Sequence, residues 1–230
     1  MDRDVLWVSA WYAVCVAWLV ALLGWLPAVP YWGLWLLAGY AIADAGSYLF
    51  HYVIDHYGDP ARLGLVREFQ LHHLEPWGIA RKRVTAVILP AARLATPVMA
   101  LLLAAALAGW LPAWFNLIGF ELGALWVFTQ VFHRWAHMPS HGLVRLAQRL
   151  RLIVSARAHR QHHRAPFHSH FGVINGWSNW PLDRLGAPAL VDRLLGRLGY
   201  RRHGLESRLK VLMKQSDSLS GTLPAQTRSY

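Results

Sequence analysis

The sequence predicts an all-α integral membrane protein, with four transmembrane helices and a histidine-rich cap on the cytosolic side. Three observations carry that prediction. Hydrophobic residues make up 55% of the 230 and charged residues 15%, against roughly 45–50% and about 25% in a soluble domain. Four stretches stay apolar over the ~20 residues that cross ~30 Å of hydrocarbon. The 13 histidines fall in clusters, in a chain with one cysteine. The composition excludes intrinsic disorder. Cys15 alone excludes a disulfide framework and a thiolate-rich zinc or iron–sulfur site.

The first stretch, 5–29, carries no charge and is too long and too rich in tryptophan for a signal peptide. The second, 31–54, has one acid, Asp44; the third, 84–109, is interrupted by Arg93; the fourth, 113–132, by Glu121. Pro27 and Pro30 break the chain between the first two and Pro112 between the last two, giving two hairpins. A soluble bundle is the competing reading, but none of the four stretches shows amphipathic periodicity. Arg93 and Glu121 read as an ion pair between neighbouring helices, because a lone charge in lipid is costly.

Lysine and arginine set the orientation. The turns near 30 and 111 have none; segment 55–83 has Arg62, Arg67, Arg81, Lys82 and Arg83; sixteen more follow residue 133. The middle loop and C-terminal region are therefore expected in the cytoplasm, as for a multi-pass protein of a bacterial inner membrane. The net charge of +11 then reflects topology and attraction to anionic headgroups. No nucleic-acid module is visible. Segments 142–155 and 184–202 are basic and amphipathic, suited to the interface plane or to the surface of the cap. Residues 1–214 read as one membrane domain and 215–230 as a disordered tail.

On this topology the histidine clusters converge. Helix two ends at His51 and helix four at His133; His72 and His73 lie in the middle loop; His159, His162 and His163 follow helix four. His133 and His137 are spaced i, i+4, and His159, His162 and His163 i, i+3, i+4, so each set shares a helical face. Eight imidazoles exceed what a single zinc takes, and the zinc-protease pattern HExxH is absent. Haem is served by imidazole too, though histidines on facing helices within the bilayer would suit it better than doublets at the edge. Two six-coordinate irons fit the count, and imidazole suits iron. Such a pair at a membrane edge suggests dioxygen chemistry on a lipid C–H bond. His141, His170 and His203 read as loop or surface residues.

The runs ADAGSYLFHYVID (43–55), FQLHHLEP (69–76), TQVFHRWAH (129–137), HRQHHRAP (159–166) and GWSNWPLD (176–183) resemble, in order and spacing, those of the plasmanylethanolamine desaturase family, the CarF-like lipid desaturases. That family also includes a plant plastid desaturase acting on phosphatidylglycerol. The resemblance implies a histidine-ligated di-iron lipid desaturase that uses O2. It implies ligand roles for His51, His72, His73, His133, His137, His159, His162 and His163. The chain departs from the family pattern in having Thr129, Lys82 and Ala158, where the family has Asn, His and His. The family's Pro-His is Pro166-Phe167, with His168 one place later.

Asp55, His56 and His168 are further candidates beside the ligands. Asp44 and Ser47 lie seven and four residues before His51 on nearly the same face. They are candidates for lining a lipid-chain tunnel or for hydrogen-bonding a ligand imidazole; a polar contact between helices is the other reading. No flavin or haem motif is present, so the implied electrons come from a ferredoxin- or cytochrome-type partner. Helices ending at His51 and His133 put the metal near the headgroups. The expected product is a double bond near the glycerol end of a phospholipid chain, and the resemblance makes it the vinyl ether of a plasmalogen. An acyl chain desaturated near its carboxyl end is the alternative. A fatty-acid or sterol-type hydroxylase and a non-catalytic metal-binding membrane regulator are the rival functions.

Overall fold

The computed structural model describes residues 3–139 and 141–220, and among them every regular element is helical. Helix α1 spans Arg3–Trp25 and α2 Trp32–His56. Two short helices follow, α3 over Gly64–His72 and α4 over Gly78–Arg81, then two long ones, α5 over Val84–Leu107 and α6 over Ala113–Ala136. The C-terminal region holds α7 (Gly142–Arg149), α8 (Ala156–His162), α9 (Asn179–Arg184), α10 (Ala187–Arg197) and α11 (Leu205–Ser220). Six residues of the segment expected to be a loose tail thus lie in α11, and 221–230 lie outside the described residues. The two basic segments of the C-terminal region contain α7 and α10.

Three segments are long and apolar enough to cross a membrane: Asp4–Ala28, Val84–Leu107 and Ala113–Ala136. Helix α2 is as long, yet its second half carries Asp44, His51, Asp55 and His56, all buried against the rest of the protein. Its polar residues face a protein neighbour, which is why its composition differs from that of the other three.

The long helices pack as a bundle centred on α6, which touches α1, α2 and α5, while α1 also packs along α5. Trp11 and Trp18, two turns apart on α1, are fully buried and meet Phe128 and Phe120 edge-on at 5.3 and 6.1 Å. Burial of a large aromatic side chain contributes about 1.5–3 kcal/mol or more, so α1 is held by its aromatic stripe. Helix α2 meets α6 at Gly39, where a Cβ would fall on the Glu121 carboxylate and 3.3 Å from the Ile118 Cα. A larger residue there would displace the Glu121 side chain and press on the α6 backbone at Ile118.

The Arg93–Glu121 pair expected from sequence does not form. Arg93 Nη2 donates to Asp4 Oδ1 at 2.6 Å, and Glu121 Oε2 has no hydrogen-bond partner among the described residues. The cause is depth. Arg93 lies nine residues from the start of α5, and Glu121 fifteen residues from the far end of α6, which is at the same side as that start. At ~1.5 Å per residue the two are roughly 9 Å apart along the bundle.

The C-terminal region docks on α2 through a row of tyrosines. Tyr48 donates to Asp183 at 2.6 Å, and Tyr52 and Tyr57 both donate to Asp192 at 2.6 and 2.7 Å. Their rings pack on Phe171 and Ala187. Asp44 makes the deeper attachment. Its Oδ1 accepts from the backbone N–H groups of Ile174, Asn175 and Gly176 at 3.0–3.2 Å, and its Oδ2 from the N–H and hydroxyl of Ser178 at 2.8 and 2.6 Å. A side chain on Gly172 would strike this network.

Candidate metal centre

Four segments bring the histidines together. His51 and Asp55 lie one turn apart near the end of α2; His72 and His73 close α3; His133 and His137 close α6; His159, His162 and His163 belong to α8 and its C-cap. They form two groups. His72, His133, His137, His159 and His163 make one; His51, His73 and His162 with Asp55 make the other. Within each group one candidate ligand atom per residue lies within 4.8 Å of every other.

The spacing fits a shared cation. Two ligands about 2.1 Å from one ion and at right angles stand roughly 3 Å apart. In the first group the Nε2 atoms of His72 and His137 approach to 2.9 Å, those of His137 and His159 to 2.7 Å, and those of His159 and His163 to 3.0 Å. A neutral imidazole nitrogen either donates one hydrogen bond or accepts one, so hydrogen bonding alone leaves His137 and His159 each with one contact unmet. A common cation meets them all. His133 is buried with neither ring nitrogen hydrogen-bonded among the described residues. In the second group Asp55 Oδ2 stands 3.2, 3.3 and 3.5 Å from the Nε2 atoms of His73, His162 and His51.

Backbone carbonyls orient two of the rings. The His51 Nδ1–H donates to the Phe171 carbonyl at 3.0 Å, and the His162 Nδ1–H to the Ser169 carbonyl at 3.3 Å. Both rings then turn an Nε2 lone pair inward, the arrangement that fixes a ligand's tautomer. Burial and the neighbouring imidazoles His137 and His73 push the His72 ring down to about 2. Burial, with His73 and His162 beside it, pushes His137 down to about 4. His159, His162 and His163 move the same way, chiefly by desolvation. A crowd of neutral imidazoles at neutral pH is the donor set a soft-to-borderline divalent ion takes.

The remaining candidates serve other purposes. His56 Nε2–H donates to the Phe167 carbonyl at 3.1 Å, and its Nδ1 accepts from the Leu205 N–H at 3.2 Å, so both nitrogens are occupied in anchoring the C-terminal region. His168 is exposed and belongs to neither group. Ser47 donates to the Asp44 carbonyl, accepts from the Val173 N–H and lines the cavity described below. Asp44 touches no imidazole; it clamps the loop after Phe171, whose carbonyl holds His51. Lys82, at the position of a family histidine, pairs with Glu68 at 2.9 Å. Phe167, at the position of another, is buried with its ring 5.3 Å from that of His73. The roles of Ser169, Phe171 and Gln70 are invisible in sequence. The first two act through backbone carbonyls, and Gln70 is a buried amide donating to the carbonyls of Ile54 and Asp55.

Two hollows reach the histidines. An apolar cavity of about 270 Å³ lies between α2, α5 and α6, walled by Phe50, Val87, Leu122 and Trp126, and ends at His51. A more polar cleft of about 670 Å³ runs past Glu75 to His72 and His133. Glu68, Phe69, Ile79, Lys82 and Gln130 belong to the walls of both.

Fold and site together define a class: a helical protein with three membrane-length segments and, at the end of one of them, two histidine groups, one including Asp55, each able to hold a metal ion. The lipid desaturase domain matches residues 40–204, a span that contains every member of both groups. The chain belongs to that family. It is 34% identical over 189 residues to a plasmanylethanolamine desaturase of Myxococcus xanthus, covering 76% of this chain and 66% of that protein. It is 36% identical over 155 residues to the chloroplastic fatty acid desaturase 4 of Arabidopsis thaliana, covering 62% and 45%. With plasmanylethanolamine desaturase 1 of Mus musculus it shares 29% over 166 residues, covering 66% and 60%. The chain thus spans less than two thirds of the length of these relatives. No solved structure matches it.

Proposed function

We propose that the protein is a membrane-embedded di-iron lipid desaturase that forms a double bond near the glycerol end of a phospholipid chain, the vinyl ether of a plasmalogen. The observation that carries the reading is the shared wall. An apolar cavity suited to hydrocarbon and a polar cleft suited to a headgroup meet at Phe69 and Gln130, and both end on the histidine groups. A phospholipid lying across that seam offers the histidines its first chain carbons. Relatives named plasmanylethanolamine desaturase support the vinyl ether.

His72, His133, His137, His159 and His163 would hold one iron, and His51, Asp55, His73 and His162 the other. Bound there with two external electrons, an iron pair supplies reductive activation of dioxygen against an unactivated C–H bond. In balance, –CH2–CH2–O– with O2, two electrons and two protons gives –CH=CH–O– and two waters. The electrons come from a ferredoxin- or cytochrome-type partner. Asp55 gives its group one negative charge that the five-histidine group lacks, so the two sites are chemically unequal. The carbonyls of Phe171 and Ser169 keep His51 and His162 in register. Phe50, Phe69 and Trp126 pack edge to face and exclude water from the chain. In the bilayer α2 is the fourth crossing, and the histidine groups face the cytoplasm of a bacterial inner membrane.

Expression in a plasmalogen-free host fed alkyl-ether lipid tests this. The expected result is a lipid lighter by two hydrogens that releases aldehyde in acid, absent with His72→Ala. A double bond found only at mid-chain overturns the proposed position.

A further inference from the structure

The polar cleft carries charges of both signs. Its ionic lining is Glu68, Glu75 and Lys82, two carboxylates against one ammonium with no arginine, in a chain whose overall charge is +11. We propose that these three residues are a headgroup subsite that selects a zwitterionic, amine-bearing phospholipid, with phosphate at Lys82 and the ammonium at Glu68 and Glu75. The inference rests on the desaturase reading above and adds to it the residues that choose the substrate.

Position comes first. Glu68 and Lys82 belong to both the apolar cavity and the cleft. A lipid with its chain in the cavity must therefore carry its head past them. Charge follows. Glu68 and Lys82 pair at 2.9 Å, with side chains 67% and 49% exposed. An ion pair this exposed is weak, so an incoming headgroup displaces it readily. A zwitterion replaces both partners at once and leaves neither unpaired. An anionic head satisfies Lys82 and sets its phosphate beside Glu68 and Glu75, an unfavourable like-charge contact. The net charge of +11 favours anionic lipid in general; the ionic lining of this cleft, two carboxylates and one ammonium, runs the other way. Among the described residues the Lys82 ammonium is held only by this exposed pair with Glu68.

The test uses the full chain in bilayer nanodiscs holding equal amounts of two photoreactive phospholipids, identical in chain and diazirine, one with an ethanolamine and one with a glycerol head. After irradiation, adducts on the peptides spanning 64–83 and 122–134 are counted by mass spectrometry, a readout that needs no turnover. The ethanolamine probe should be favoured several-fold. Glu68→Lys with Glu75→Lys should invert the ratio while iron content and melting temperature hold. Lys82→Gln, a milder change, should lower adducts of both probes. A wild-type preference for the glycerol head overturns the proposal, as does a ratio indifferent to either variant. Headgroup choice that follows the charges without any double bond formed would sink the desaturase reading and leave the subsite standing. A double bond formed with a ratio blind to the charges would do the reverse.

Discussion

His51 and Asp55 stand one helical turn apart on α2, with His51 Nε2 3.5 Å from Asp55 Oδ2. The same oxygen lies 3.2 Å from His73 and 3.3 Å from His162. One carboxylate oxygen is thus the meeting point of three imidazoles contributed by α2, α3 and α8.

Metal content should follow from this. Purified protein is expected to hold about two irons per chain, from the size of the two donor groups. His162→Ala and Asp55→Asn should each lower that to about one, by emptying the group they share and sparing the five-histidine group. His203→Ala should change nothing, because its side chain joins neither group. Elemental analysis after anaerobic purification decides; stoichiometric zinc without iron would count against the proposed metal.

Acid should destabilise the metal-free protein. His72 is held down to about 2 and His137 to about 4 in the fold, whereas an unfolded histidine titrates near ~6.5. As pH falls through that value the unfolded chain takes up protons that the fold refuses. Stability is therefore full above ~6.5 and declines as pH falls, through about 4 for His137 and on toward about 2 for His72. Chelated protein should melt at progressively lower temperature between pH 7 and 4.5, and His137→Asn should flatten the slope. A melting temperature constant over that window would contradict the burial of these rings as neutral groups.

Asp44→Ala should be costly. It removes the acceptor of five hydrogen bonds and leaves buried N–H groups unpaired, each such loss costing about 1–3 kcal/mol. The loop that holds His51 through Phe171 would loosen, so a fall in both melting temperature and iron content is expected. Glu121→Gln, with no hydrogen bond to lose at Oε2, should leave both within error.

Topology is checked by reporter fusions. Fusions at residues 30 and 111 should report outside, and those at 65 and 230 the cytoplasm, following the arginine asymmetry. A fusion at 65 reporting outside would separate His72 and His73 from the other histidines, which the geometry forbids, and would defeat the proposed orientation.

Much of this was legible in the sequence, and the boundary has a physical cause. Helices long enough to cross a membrane announce themselves by composition. The histidines announce themselves because their spacings, i, i+3 and i, i+4, are local. Asp55 showed the same local signal, four residues after His51, but one carboxylate beside eight imidazoles carries little weight in sequence. The clamp made by Asp44 was beyond reading, because its partners lie some 130 residues away and are backbone N–H groups that any residue offers. Arg93 pairs with Asp4 and not with Glu121 for a related reason: adjacency of two helices does not set how far along its helix each charge sits.

The division of the two histidine groups among segments sets an order of assembly. Both groups draw on α8, with His159 and His163 in one and His162 in the other, and α8 lies beyond all four long helices in the chain. During synthesis one group is complete only once residue 162 has been added and the other only once residue 163 has. The helices enter the membrane first and the growing chain carries only partial donor sets. Closing the C-terminal region over α2, through Tyr48, Tyr52 and Tyr57, is then also the event that completes both histidine groups. Iron would be taken up by a nearly finished protein, and a chain truncated before α8 would insert yet never load.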